Sequence, residues 1–234
     1  MRLLFAFLLI SSFAVAQQNN QKIAYQYYIN GEYEKAIVLY EDLMDKRFSV
    51  AYFSPYFQSL ISLEDYKSAE LLARKVARKY PNSLNYQLQV GVAQLKAGDT
   101  KKSEKTFKKV TAKVDGNRSQ AINLANTFNR YSLFEKALNI YLLAEKLNPK
   151  NNFGNQKGQL YGQLGKSDLM ISEYLNELSL DPRQKQQVLN KLQKFLDNDG
   201  IKSDKNYQLV KKQLLPLVRL EKERTDFTEM LIWL

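Results

Sequence analysis

The stretch AINLANTFNRYSLFEKALNIYLLAEKLNP, residues 121–149, decides the fold. Ala121, Leu124, Ala125 and Phe128 recur at three- and four-residue steps, which sets them on one stripe of an α-helix. Arg130, Tyr131 and Ser132 interrupt the stripe, and Phe134, Ala137, Leu138, Tyr141 and Ala144 resume it. Pro149 ends the second run, because proline has no amide hydrogen to continue a helix and disfavours helical geometry in Asn148. The pattern predicts two amphipathic helices joined by a tight turn, each with an apolar face that a neighbour must cover.

The same hairpin recurs on either side. Near the N-terminus Ile23, Ala24 and Tyr27 form a first stripe, Asn30-Gly31 breaks it, and Tyr33, Ala36, Ile37, Tyr40 and Leu43 form a second. Small or compact residues opening each second helix, Ala36, Ala69, Ser103, Ala137 and Met170, fall at steps of 33, 34, 34 and 33. The closing residues Pro81, Asp115, Pro149 and Pro182 keep the same beat. Self-similarity at this period predicts stacked supersecondary units rather than a globule around one central core. Five units are predicted, over 17–50, 50–83, 84–117, 118–151 and 151–184.

In these positions the chain resembles the tetratricopeptide repeat (TPR) family. The resemblance rests on the small residue in the first helix (Ala24, Gly91, Ala125, Gly158) and the aromatic after it (Tyr27, Phe128, Tyr161). It continues through the turn glycines Gly31, Gly98 and Gly165, the aromatics Tyr33, Tyr66 and Phe134, and those at Tyr40, Phe107, Tyr141 and Tyr174. Small residues let two helices approach while aromatics fill the wedge between neighbours. The resemblance implies an all-α fold, a right-handed α-solenoid of about five such repeats with additional C-terminal helices. Phe57, Gln87, Gln94, Met170 and Glu177 depart from the pattern, and repeats three and five are expected to pack least tightly.

The resemblance also implies that the inner face of the first helices lines a groove. In register, the candidates for contact with a partner are Tyr25, Tyr28, Gln58, Leu88, Val92, Asn126, Asn129, Asn155 and Gln159. Five of these nine are amides, and an Asn or Gln side chain both donates and accepts, so it can pair with an extended peptide backbone without reading its sequence. The subclass of the family that clamps a C-terminal carboxylate does so with lysines and arginine; these positions are mostly neutral, and that activity is not carried over.

The ends differ from the middle. Arg2, the apolar run Leu3 to Phe13 and Ala14-Val15-Ala16 read as a secretory signal peptide over residues 1–16. The run is short of the roughly 20 residues a membrane span needs, so no transmembrane span is expected once it is removed. After Pro182 the register slips. Residues 185–234 read as a divergent helical extension in which Thr225-Asp226 caps a last helix, and an end on Met230, Leu231, Ile232, Trp233 and Leu234 reads as that of a longer chain.

Composition narrows the chemistry. The chain has no His and no Cys, which removes the usual neutral-pH base, thiolate metal sites, disulfides and every Ser-His or Cys-His arrangement. No phosphate-binding loop or metal-ligand spacing occurs, and the pairs Glu41-Asp42 and Glu64-Asp65 read as solvated surface, so no catalytic residue, metal or cofactor is assigned. The net charge is +11. Its surplus gathers at Arg74, Lys75, Arg78 and Lys79 and at Lys101, Lys105 and Lys108 with their neighbours, which reads either as a solvated helix face or as a dock for an anionic surface. The expectation is a non-catalytic scaffold of the cell envelope, periplasmic or envelope-associated with secretion as second choice, binding a protein or extended peptide and no nucleic acid. A basic module docking anionic lipid or polysaccharide is the alternative, as is the N-terminal part of a larger protein active beyond Leu234.

Overall fold

A computed structural model describes residues 20–46, 48–197, 204–221 and 223–234. The leader expected over 1–16 lies outside the described residues. All regular structure is helical, with no strand among the described residues, and the chain divides into two compact units, Met1–Lys113 and Val114–Leu234.

The first unit holds α1 (20–29), α2 (Tyr33–Lys46), a 3-10 turn Val50–Tyr52, α3 (Phe53–Ser62), α4 (Tyr66–Lys79), α5 (Leu84–Lys96) and α6 (Thr100–Thr111). Gly98 joins α5 to α6 at φ +81, a left-handed turn in which the amide of Asp99 bonds back to the carbonyl of Gln94. Glu64 makes the equivalent turn between α3 and α4 at φ +60, where a side chain costs roughly 1 kcal/mol that glycine avoids. Asp65 and Asp99 then start the second helices by accepting from the amides of Ser68 and Lys102. Ala36, Ala69 and Ser103 are fully buried at the helix contacts. Gly91 is required by close approach, because a Cβ there would stand 2.5 Å from the ring of Phe107.

Repeat three does not pack loosely. Eight of the 13 residues of α5 are buried, Gln89 and Gln94 among them. Gln94 donates to Glu70 Oε1 on α4 at 2.8 Å and accepts from the Thr106 hydroxyl on α6 at 2.8 Å. The amide that dilutes the apolar stripe therefore enters the interior by tying α5 to both neighbours, and a buried polar group with partners on both sides is tolerated.

The second unit holds α7 (Arg118–Arg130), α8 (Phe134–Leu147), α9 (Gly154–Gln163), α10 (Ser167–Leu180), a 3-10 turn Pro182–Gln184, α11 (Lys185–Leu196), α12 (Asp204–Leu220) and α13 (Thr225–Trp233). Among the ties that join its hairpins, Asn151 donates to the carbonyl of Gly116 at 2.8 Å, and Arg118 donates to that of Asn152 at 2.9 Å. The last three helices are not an appendage. Ile171, Leu175 and Leu178 of α10 share one buried cluster with Val188 and Leu192 of α11, Val210 and Leu214 of α12, and Phe227 and Met230 of α13.

Arg224 locks this cluster. Its guanidinium donates to the carbonyls of Leu178 and Ser179 at 2.8 Å each, satisfying acceptors that the end of α10 leaves open, and lies 4.6 Å over the ring of Phe227. Thr225 is the first helical residue of α13, so Arg224 holds the N-cap position expected of Thr225-Asp226. Asp226 is instead drawn to the guanidinium, with which it forms an ion pair.

Candidate functional site

Along the second unit, α7 to α11 leave open a groove of about 650 Å³. Helical period sorts its walls. On α7 the buried stripe is Ala121, Leu124, Ala125 and Phe128, which turns Asn126 and Asn129 outward to one side of the groove. On α9 Gln156, Gln159 and Gln163 are spaced by three and four and bring three more amides to it. Tyr141 of α8, Leu160 of α9, and Met170 and Tyr174 of α10 give it an apolar floor, and Lys191, Lys194 and Phe195 of α11 close the far wall. Among the described residues the lining carries no Asp or Glu.

The floor is held by chemistry behind it. Lys157 of α9 is buried with its Nζ 2.8 Å from Glu145 of α8 and 3.1 Å from Glu173 of α10. Burial alone would drive the ammonium towards neutrality; hydrogen bonds to the two carboxylates outweigh it and raise its pKa. Glu145 also accepts from the amide of Phe153 at 2.8 Å, at the start of α9. This bridge fixes α9 between its neighbours and so sets the direction of the three glutamines. Gly158 lets the ring of Tyr174 press directly on the α9 backbone, where any Cβ would collide with it.

Burial pushes the Tyr174 phenol up to about 12, with Glu177 adding to the effect, and burial likewise raises that of Tyr141 against a smaller opposing pull from Arg118. Both stay neutral hydrogen-bonding groups at physiological pH. Lys191 bonds Glu177 at 3.3 Å and stands 4.9 Å from the Tyr174 ring centre, while Lys194 is exposed. The groove therefore offers five amides over an aromatic and aliphatic floor, with cations at one wall. It can bind a chain with donors and acceptors along its length. Among the described residues no group of acidic side chains is placed to hold a metal ion, and no helix is long and apolar enough to cross a membrane.

Of the residues expected to meet a partner, the structure brings Asn126, Asn129 and Gln159 together along this groove. Asn155 stands beside it, accepting from Gln159 at 3.4 Å. Tyr25 and Tyr28 lie in the first unit on α1 with ring centres 5.9 Å apart, and Gln58 is half-buried on α3. Leu88 and Val92 are fully buried and belong to the core, not to an open groove. The physical reason is that α5 is apolar on both flanks of its stripe, so burying them is favourable, whereas Asn126, one repeat on from Val92, resists burial. The basic residues Arg74, Lys75, Lys101, Lys105 and Lys108 are all exposed on α4 and α6. Gln156, Gln163, Lys191, Lys194 and Phe195 escaped the sequence reading; the spacing of the first two with Gln159 was there to be seen.

Helical hairpins at this step, with a bare backbone or small residue under an aromatic ring, are TPR-type helical repeats. No protein-family model matches the chain, and no curated protein matches it. Among solved structures, a thermophilic TPR protein of Thermus thermophilus is 15% identical over 71% of this chain and 92% of its own, with a TM-score of 0.44. MamA of Desulfovibrio magneticus RS-1 is 16% identical over 72% of this chain and 96% of its own, with a TM-score of 0.39. MamA of MSR-1 is 17% identical over 73% and 99%, with a TM-score of 0.36.

Proposed function

We propose that the protein is a non-catalytic scaffold that holds an extended segment of a partner protein in the groove of the second unit. The observation that carries this reading is the convergence of Asn126 and Asn129 with Gln156, Gln159 and Gln163 over an apolar floor. Side-chain amides offer a donor and an acceptor each, matching the alternation of N–H and C=O along an extended backbone, while Met170, Tyr174 and Phe195 offer contact area to its side chains. Stacking of hairpins suits such a surface, because α7 and α9, one repeat apart, bring their amides to the same groove. The chain's lack of His and Cys supports binding without chemistry. The leader sequence over 1–16 supports an exported, periplasmic or envelope-associated site of action.

An array of random-sequence peptides tests the groove. The parent chain is expected to retain a subset of peptides that the Asn126→Ala/Asn129→Ala variant releases at least tenfold faster, with an unchanged melting temperature, since both side chains are exposed. Equal retention by parent and variant removes the amide groove as the binding site.

A further inference from the structure

A second surface, in the first unit, differs in kind from the groove. Helices α4 and α6 flank α5 and are joined across it through Glu70, Gln94 and Thr106, and Lys102 of α6 lies within electrostatic reach of Glu70 and Arg74 of α4. Repeat register superposes their outward positions: Lys67, Arg74 and Lys75 of α4 answer to Lys101, Lys108 and Lys109 of α6. The same register in α2 carries Glu34, Glu41 and Asp42, and in α8 it carries Glu135, Leu142 and Leu143. Positive charge is thus concentrated on two neighbouring helices instead of being mixed with negative charge over every repeat, as solubility alone would favour.

Much of that charge is uncompensated. Arg74 bonds Glu70 at 2.6 Å, Lys102 bonds Asp99 at 2.5 Å, and Lys75 stands 3.7 Å from Asp45. Lys67, Arg78, Lys101, Lys105, Lys108 and Lys109 make no ion pair among the described residues. The face is also more than charged. Leu71, 58% exposed, follows Lys67 and precedes Lys75 at helical spacing on α4, on the side where Glu41 and Asp45 of α2 share a shallow cleft with it. Where α4 ends, the exposed ring of Tyr80 stacks on Phe48 at 6.4 Å, and Lys79 stands 4.0 Å from the Phe48 ring centre. Unpaired cations on two neighbouring helices, an exposed leucine among them and an aromatic pair where α4 ends make the composition of a surface that rests on an anionic bilayer: ammonium groups meet phosphates while apolar and aromatic groups reach the headgroup boundary. An acidic polysaccharide would use the lysines and have no need of Leu71, and binding to vesicles separates a bilayer from an acidic protein.

From this we infer that the α4–α6 face docks the protein onto a bilayer rich in anionic phospholipid headgroups. The inference is independent of the peptide groove. Vesicles of equal parts phosphatidylcholine and phosphatidylglycerol, compared with phosphatidylcholine alone, test it with the full chain, and the readout is the excess binding to the anionic vesicles. That difference subtracts any contribution of the apolar leader common to both. The excess is expected to fall as salt rises and to drop about a hundredfold in Lys101→Ala/Lys105→Ala/Lys108→Ala, at roughly fivefold per cation near such a surface. Leu71→Ser is expected to lose severalfold with its melt unchanged, and it serves alone if the triple variant does not fold. No excess binding at low salt overturns the inference, as does an excess that survives the triple substitution. It is equally overturned if Leu71→Ser binds as the parent does, which marks the face as a general polyanion surface.

Discussion

The α5–α6 hairpin of the first unit and the α9–α10 hairpin of the second solve one packing problem in two ways. Each sets a glycine, Gly91 or Gly158, under the aromatic ring of the following helix, and each ties a buried polar side chain of its first helix to both neighbouring helices. In α5 the buried group is the neutral amide of Gln94, shared between Glu70 and Thr106; in α9 it is the ammonium of Lys157, shared between Glu145 and Glu173. The outward faces then diverge. Leu88 and Val92 sink into the core of the first unit, while Gln156, Gln159 and Gln163 stay at a groove in the second. The repeat frame, then, fixes backbones, and what each repeat can bind is decided by a few polar residues that the frame does not specify.

The largest effect should come from cutting the charged device. Lys157→Met removes the ammonium and leaves Glu145 and Glu173, both mostly buried, facing each other without compensation, which is expected to destabilise the fold by about 3 kcal/mol. Gln94→Leu is expected to cost only about 1 to 2 kcal/mol, because Glu70 keeps its pair with Arg74. Chemical denaturation at neutral pH measures both. The pH dependence separates them further. Without Lys157 nothing opposes the burial that raises the Glu173 carboxyl, so its folded-state pKa stands further above its unfolded one and the variant regains stability as pH falls and Glu173 takes up a proton. In the parent, burial already raises the Glu173 carboxyl, with Glu145 and Glu177 adding to it against the pull of Lys157. A deficit for Lys157→Met that stays constant on acidification would break the contrast between an ionic and a neutral bridge.

A smaller effect probes what the hairpins share. Gly91→Ala and Gly158→Ala each place a methyl group against a ring, an overpacking cost of ~1–3 kcal/mol offset by the better helix propensity of alanine, ~1 kcal/mol. Net losses of roughly 1 kcal/mol are expected for both in thermal or denaturant melts. Their consequences should differ. Tyr174, displaced by Gly158→Ala, floors the groove, so that variant is expected to lose peptide retention as well; Phe107, displaced by Gly91→Ala, lies in the other unit and should leave it unchanged. Equal loss of retention in both would locate the binding surface elsewhere.

Much of the architecture was legible because it is carried by periodicity. Ala36, Ala69, Ser103 and Ala137 are all fully buried, and a spacing of 33 to 34 between small residues has few readings other than stacked hairpins. The groove was legible only where polarity and register agreed, as at Asn126, Asn129 and Gln159. At Leu88 and Val92 register pointed outward and hydrophobicity pointed inward, and burial won. The far wall escaped because α11 follows the slip after Pro182, where no period locates Lys191 or Phe195 relative to α9. Arg224 escaped for another reason: its partners are the backbone carbonyls of Leu178 and Ser179, which leave no trace in the identity of those residues.

The smallest expected effect concerns two capping aspartates, one in each unit. Asp99 starts α6 with its carboxyl held below the ordinary range by the hydrogen bond from Lys102, and Asp181 starts the turn into α11 with its own lowered to about 2, chiefly by the side-chain hydrogen bond from Arg183. Both are partly exposed, so solvent screening keeps their weight in stability slight at neutral pH. A carboxyl with a depressed folded-state pKa stabilises the fold above its unfolded pKa and loses that contribution as pH falls through the folded value. For Asp181 the loss should lie between about 4, where the free side chain titrates, and about 2. Carboxyl-carbon chemical shifts should place its midpoint at the low end of that window. In Asp181→Asn the melting temperature should fall less steeply over the same window and meet the parent curve at its acid end. Because Asp181 anchors the turn that leads into the lysine-bearing wall, the acid limb of Asp181→Asn should also show whether α11 loosens before α6 does. A midpoint near 4 would mean that Arg183 is not held against the carboxylate, and the start of α11 would then owe nothing to this pair.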